Sequence, residues 1–232
     1  MGRPKHYSLE LVGRCQHLID GLVGMTARDE FAQRWRGPLT TTFLLAMSTP
    51  MIVLPYERLY QPMQDRGGVA DDTELDRKVK VNERLKESLS DNSKFGDAPF
   101  WSTDQWSYID STRYFNIAKN WDHQIFETLN SDKAKADAGA ALTKNVLKCI
   151  RNALSHGGIA YLDSYGRQSE DATHMLAFAA FPSVKRKNEL RILRISVEGY
   201  QEFLGKWSAW LTDNGVDTRL SEDGPGWFDG QR

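Results

Sequence analysis

Cysteine is scarce in this 232-residue chain: Cys15 and Cys149 lie far apart, each inside an apolar helical pattern. A disulfide-stapled fold is therefore not expected. The two do not have metal-ligand spacing, and both read as small buried hydrophobes of a reducing compartment. Charge of one sign is also lacking. Thirty Lys and Arg stand against 31 Asp and Glu, a formal net charge of −1, so no chain-wide basic field draws nucleic acid, although a local basic cleft fits inside a neutral total. Long apolar runs are absent as well. The best, residues 39–54 (LTTTFLLAMSTPMIVL), carries four threonines, a serine and Pro50. It is shorter than the roughly 20 residues needed to span a bilayer, and reads as a buried core helix broken or kinked at Pro50. The opening MGRPKHYSLELVG has neither the apolar core nor the cleavage pattern of a signal peptide. A cytoplasmic protein with no membrane partner is expected. Phosphate-cradling glycine loops, nucleophile elbows, zinc-type pairs and paired carboxylates are missing too.

What is present is a globular composition, 40% hydrophobic and 11% aromatic, with helical periodicity over most of its length. Ser8 is a suitable N-cap for a first helix striped by Leu9, Leu11, Val12, Cys15, Leu18, Ile19 and Leu22, with Gly24 as its stop. A short charged helix over 27–36 precedes the apolar 39–54 segment. A loop is predicted at 61–72, a charged and largely solvated helix at 73–89, and a second loop at 91–99. Residues 100–106 are aromatic and irregular. A helix is predicted over 112–129, then a polar, alanine-rich stretch at 130–137 that either links two helices or frays from one. The most regular helix spans 138–155, with Leu142, Val146, Cys149, Ile150 and Ala153 on one face and Gly157-Gly158 as its stop. Then the period changes. Residues 159–162, 175–181 and 189–195 are short and apolar or alternating, which predicts two or three antiparallel strands with a hairpin loop at 182–188. A last helix over 197–211 faces the core through Tyr200, Phe203, Leu204, Trp207 and Leu211. No internal repeat or strong linker is seen. The expected organisation is mainly α: one helical domain over 1–212 with a β-hairpin at about 175–195, and a loosely ordered tail over 213–232.

Chemistry concentrates in Arg151-Asn152-Ala153-Leu154-Ser155-His156. On a regular helix five residues correspond to about 140° of rotation and about 7.5 Å of rise. Arg151 and His156 then flank the apolar face on opposite sides, where one chain does not easily clamp a small group between them. A two-fold dimer built on this helix end would line a shared cleft with both pairs. On the residues alone, His156 is equally a C-cap that favours the helix dipole, and Arg151 a solvated or salt-bridged flank. His6, His17, His123 and His174 show no metal spacing. Trp101, Trp106, Trp121, Trp207 and Trp210 read as core and lid rather than base-stacking platforms. The basic run SVKRKNELRILR over 183–194 suits either phosphate contact or a charged hairpin tip.

The segment resembles the R-x4–6-H signature of the HEPN superfamily, in which a polar residue, commonly Asn, follows the Arg. The motif-specific likeness covers residues 138–158; the preceding helices are similar to the HEPN bundle in style. The resemblance implies a dimer and, as in many HEPN proteins, a metal-independent endoribonuclease of toxin–antitoxin or host-defence systems. It implies catalytic Arg151 and His156, a supporting or phosphate-binding Asn152, and no metal or cofactor. The implied partners are RNA, a second copy of the chain, and an antitoxin or other regulatory protein. The other implied reading is a non-catalytic HEPN-like dimer that binds or regulates. Some HEPN toxins carry a modifiable tyrosine two residues after the His. Here that position is Gly158 and the nearest tyrosine is Tyr161, so that form of control is not expected.

Overall fold

Ser131 and Ser196 each sit immediately before a helix and accept a backbone N–H from its first turn, from Ala134 at 3.2 Å and Gly199 at 2.9 Å. Such caps satisfy donors that the helix itself cannot, and they set several boundaries in this protein. The computed structural model describes residues 7–28, 30, 34–35, 37–60, 89–90, 92–102, 106–119 and 121–212. The 61–72 loop, the 73–89 helix apart from Leu89, and the 213–232 tail lie outside the described residues, as does half of 27–36.

Among the described residues the α-helices are α1 (Tyr7–Leu22), α2 (Thr40–Ser48), α3 (His123–Asn130), α4 (Asp132–Ala140), α5 (Thr143–His156) and α6 (Val197–Leu211). The strands are β1 (Ser107–Arg113), β2 (Ile159–Leu162), β3 (Met175–Ala180) and β4 (Glu189–Ser196). They form one antiparallel sheet in the order β1-β4-β3-β2. The mainly α character of the chain holds, and β3–β4 is the expected hairpin.

The sheet is nevertheless more than a C-terminal appendage. Its fourth strand, β1, comes from mid-chain, where the sequence suggested an irregular aromatic stretch running into a helix over 112–129. That helix begins only at His123, capped by Asp122, whose carboxylate accepts the Gln124 N–H at 2.9 Å. The apolar side chains before it mimic a helical stripe, but Phe115, Ile117 and Trp121 pack instead as a loop on a core beneath β4. β4 is buried along nearly its whole length, and β1 supplies the hydrogen-bonding edge that a buried strand requires.

Two cores sit on the two sheet faces, as the period of two in β3 demands. Leu176, Phe178, Leu193 and Ile195 pack with the apolar face of α5 and with α6. Ala177, Ala179, Leu190 and Ile192 pack with Ile125 and Leu129 of α3. The first core extends into an aromatic cluster in which Phe100 meets Trp207 at 5.1 Å and Trp106 meets Phe203 at 5.3 Å between ring centroids. Trp106, Trp207 and Trp210 are thus core residues, as expected.

Three other boundaries differ from the expectation. α1 begins at Tyr7, so Ser8 lies inside it, and the chain tightens into a 3-10 turn over Val23–Ala27 rather than stopping at Gly24. The break expected at Pro50 falls two residues earlier, where the regular α-helix ends at Ser48. The chain continues past Ser48 as a wide π-turn over Thr49–Val53, closed by the Leu54 N–H on the Thr49 carbonyl. A proline lacks the N–H for the regular ladder and crowds the carbonyl four residues back, and the wider turn relieves both. The 138–155 helix is in fact two, and the polar 130–137 stretch ends α3 at Asn130 and enters the first of them, α4, from Asp132. Ala141 and Leu142 are extended because the 92–97 loop bonds to them and to their neighbour. Phe95 donates to the Ala141 carbonyl at 2.8 Å, and Thr143 donates to the Ser93 carbonyl at 2.9 Å.

Candidate active site on helix α5

α5 turns Val146, Leu147, Cys149, Ile150 and Ala153 inward, all buried. Its other flank carries Lys148, Asn152 and His156 four residues apart, one above the next on a single stripe. The helix ends on Gly157, whose φ of 72° is left-handed, with the Gly157 and Gly158 N–H groups both donating to the Ala153 carbonyl. The expected glycine stop is therefore a C-terminal cap of the glycine type. A Cβ on Gly158 would lie 2.2 Å from the Ala179 carbonyl oxygen. The position two residues after the histidine is closed by packing on β3, which accounts for the missing tyrosine.

Beside the stripe lies a cleft of about 550 Å³, lined by Lys148, Arg151, Asn152 and His156 from α5. Its other walls are residues 114–117 after β1, and the β3–β4 loop with Phe181, Ser183, Val184 and Lys187. Lys148, Arg151 and Lys187 supply positive charge, and no Asp or Glu is among the described residues that line the cleft. The three residues singled out in the sequence therefore border one cavity of one chain. One chain is not expected to clamp a small group easily between Arg151 and His156, and a cavity of this size bordered by both leaves that expectation standing. The cleft spans the flank of the helix rather than its ridge, and the loops on either side close it.

Of its two plain readings, solvated or salt-bridged flank, Arg151 takes the salt-bridged one. Its side chain is 25% exposed and pairs with Glu57, itself 22% exposed, on a second π-turn over Tyr56–Tyr60. The other guanidinium arm donates to Asn152 Oδ1 at 2.5 Å, and the buried Nε meets no acceptor among the described residues. Asn152 thus orients Arg151 directly. His156 is exposed at the last position of the helix.

Glu57, Tyr114, Lys148, Phe181 and Lys187 escaped the sequence reading as site residues. Lys148 could have been found, since it precedes Asn152 and His156 by four and eight positions on the same stripe. Glu57 left no local signal. Of the basic run over 183–194, Lys187 reaches the cleft. Arg186 pairs with Glu189, Arg191 bonds Asp110 at 2.7 Å, and Arg194 caps α3 through the Leu129 carbonyl at 2.8 Å and Asn130 at 2.7 Å. Burial pushes the Arg194 guanidinium down to about 10. Among the described residues, no group of three or more His, Cys, Asp or Glu side chains is arranged to hold a metal ion, and no helix is long and apolar enough to cross a membrane.

A family model described as HEPN pEK499 p136 matches residues 1–217. The chain belongs to the HEPN superfamily. HEPN domains are nucleotide-related and often ribonucleases. No curated protein and no solved structure matches the chain.

Proposed function

We propose that this HEPN protein is a metal-independent endoribonuclease in which Arg151 and His156 act on one phosphodiester and Asn152 orients the arginine. What supports the reading is the cleft that brings all three residues together with Lys148 and Lys187, with no Asp or Glu among its described lining residues and Glu57 paired to Arg151 beside it. RNA brings its own nucleophile. His156 takes the proton of the 2′-OH, the 2′-oxygen bonds to phosphorus, the bond to the 5′-oxygen breaks, and a second acid returns a proton to that oxygen. In a two-fold dimer the partner copy of His156 serves as that acid, which is the reason to propose a homodimer. Arg151, with one N–H held by Glu57 and one by Asn152, turns the remaining donors of its planar fork to the phosphate and neutralises charge on the pentacoordinate transition state. The products are a 2′,3′-cyclic phosphate and a 5′-OH. The wider reading is a cytoplasmic toxin or defence effector restrained by an antitoxin or other regulatory protein, with 1–212 as its single domain.

The test is RNA cleavage that persists in EDTA and disappears in His156→Ala. Cleavage only with added metal, or undiminished in His156→Ala, would sink the assignment. A second reading, a non-catalytic dimeric binding module, draws on one observation: the Arg151 guanidinium is already paired with Glu57. It takes over if wild type dimerises and cleaves nothing.

A further inference from the structure

Two rings at the cleft take no part in the chemistry above. Tyr114 directly follows β1 and Phe181 directly follows β3, and β4 runs between those strands. The two side chains therefore emerge at one end of the sheet on either side of the same strand. They stack, with centroids 5.8 Å apart and planes at 27°. Yet Tyr114 is 50% and Phe181 is 42% exposed, so the pair is no part of either core.

The backbones beneath them are held firmly. The Tyr114 N–H donates to the Asn188 carbonyl at 2.8 Å. Arg113 and Ala180 pair in register with Glu189 and Arg191 of β4. Both rings also line the cleft that holds Lys148, Arg151, His156 and Lys187, with Arg151 paired to Glu57 and no Asp or Glu among the described lining residues. A rigid, half-wet aromatic pair beside a row of cations matches a ligand with flat apolar faces and regularly spaced negative charge. A single-stranded nucleic acid has both, whereas a duplex hides its base faces in its own stack.

We propose that Tyr114 and Phe181 form a stacking platform for an unpaired base of single-stranded RNA, whose phosphates are held by Lys148 and Lys187. This rests on the ribonuclease reading of the cleft and adds the form of the substrate. The platform selects unpaired RNA over duplex and places one base beside the Arg151–His156 pair.

The experiment is fluorescence anisotropy of a labelled single-stranded RNA of about a dozen nucleotides, bound by the full-length His156→Ala protein so that nothing is cut. Adding Tyr114→Leu or Phe181→Leu should weaken binding about 5- to 100-fold, with Phe181→Tyr near the starting affinity. Lys148→Gln should instead flatten the salt dependence, by roughly 0.7 in the slope of log K against log salt. The matching duplex should bind more weakly than the single strand. Circular dichroism checks that the leucine variants fold, and the tyrosine variant keeps the test valid if one does not. Equal affinity of the leucine variants, equal affinity for duplex, no binding at all, or weakened self-association with RNA binding intact would each overturn the platform. The two readings separate cleanly. Platform-dependent binding without cleavage by wild type removes the nuclease and keeps the platform. Cleavage by Tyr114→Leu and Phe181→Leu with wild-type KM removes the platform and keeps the nuclease.

Discussion

The guanidinium of Arg151 on α5 is ion-paired with the carboxylate of Glu57 on the π-turn after α2, and both are largely withdrawn from solvent. The pair joins the most regular helix of the chain to the second π-turn, Tyr56–Tyr60. In the proposed ribonuclease Glu57 is then a positioning residue, holding one arm of the fork while Asn152 accepts from the other. Glu57→Ala should lower kcat on the order of tenfold, a loss of about 1.4 kcal/mol of transition-state stabilisation. Glu57→Gln should recover part of it, and the effect should vanish in an Arg151→Ala background. Single-turnover rates of the four proteins check this, and an additive double mutant would exclude the coupling.

Arg151→Ala and His156→Ala should both abolish cleavage, His156→Ala by about 10²–10⁴ in rate. Their stabilities should differ. His156 is exposed, so its truncation should stay within about 0.5 kcal/mol. Removing Arg151 strands a partly buried Glu57 and should cost about 1–3 kcal/mol. Ile150→Ala, in the core, should lose about 2–5 kcal/mol. Urea midpoints would order the three. Equal stability of the two site variants would deny the ion pair its role.

The two glycines after His156 should fail differently. Gly157 has a φ of 72° but open space around it, so alanine there meets backbone strain alone, about 1 kcal/mol. Alanine at Gly158 drives its Cβ into the Ala179 carbonyl and disturbs the Ala179 N–H bond to the Gly158 carbonyl, 2.7 Å long. It should cost at least about 2 kcal/mol. Thermal melts showing Gly157→Ala as the worse variant would contradict this packing.

Both thiols should be inert in the folded protein. Cys149 is 1% exposed and its burial pushes the thiol up to about 12, while Cys15 is 4% exposed and raised by burial as well. The thiolate is the reactive form, so alkylation at pH 8 should proceed only through unfolding. Rates that follow urea concentration support this, and fast labelling in native buffer would not.

Acid should loosen the β1–β4 edge first. Burial raises the Asp110 carboxyl, but its bonds to the Tyr108 hydroxyl and the Arg191 guanidinium outweigh that and leave it below the usual range. Bonds from Arg186 and then Ser111 hold Glu189 down to about 2. A carboxyl lowered in the folded state stabilises fully above its unfolded pKa, about 3.9 for Asp and 4.3 for Glu, and loses that as pH falls through the folded value. Amide exchange in β1 should therefore rise below about pH 4, and Asp110→Asn should flatten the dependence. Unchanged protection of β1 down to pH 2 would count against it.

Much of α5 was legible in the sequence. The positions of Val146, Cys149, Ile150 and Ala153 specify one buried face, and Gly157 needs only its own freedom at positive φ to end the helix. Arg151, Asn152 and His156 are singled out by the resemblance to the HEPN signature, and their mutual placement was legible because residues close in sequence keep fixed relations on a helix whatever surrounds it. The hairpin strands declared themselves by their period of two. The rest depended on segments distant in the chain. Residues 107–113 became a strand because β4 offered an unpaired, buried edge, not because their own pattern asked for it. The helix broke at Ala141 and Leu142 because the 92–97 loop supplied hydrogen bonds there, against a sequence that would have continued it. Glu57 reached Arg151, and Tyr114 met Phe181, only when the sheet and the π-turn brought them together. Local periodicity decides which side chains share a face; tertiary packing decides what that face will meet.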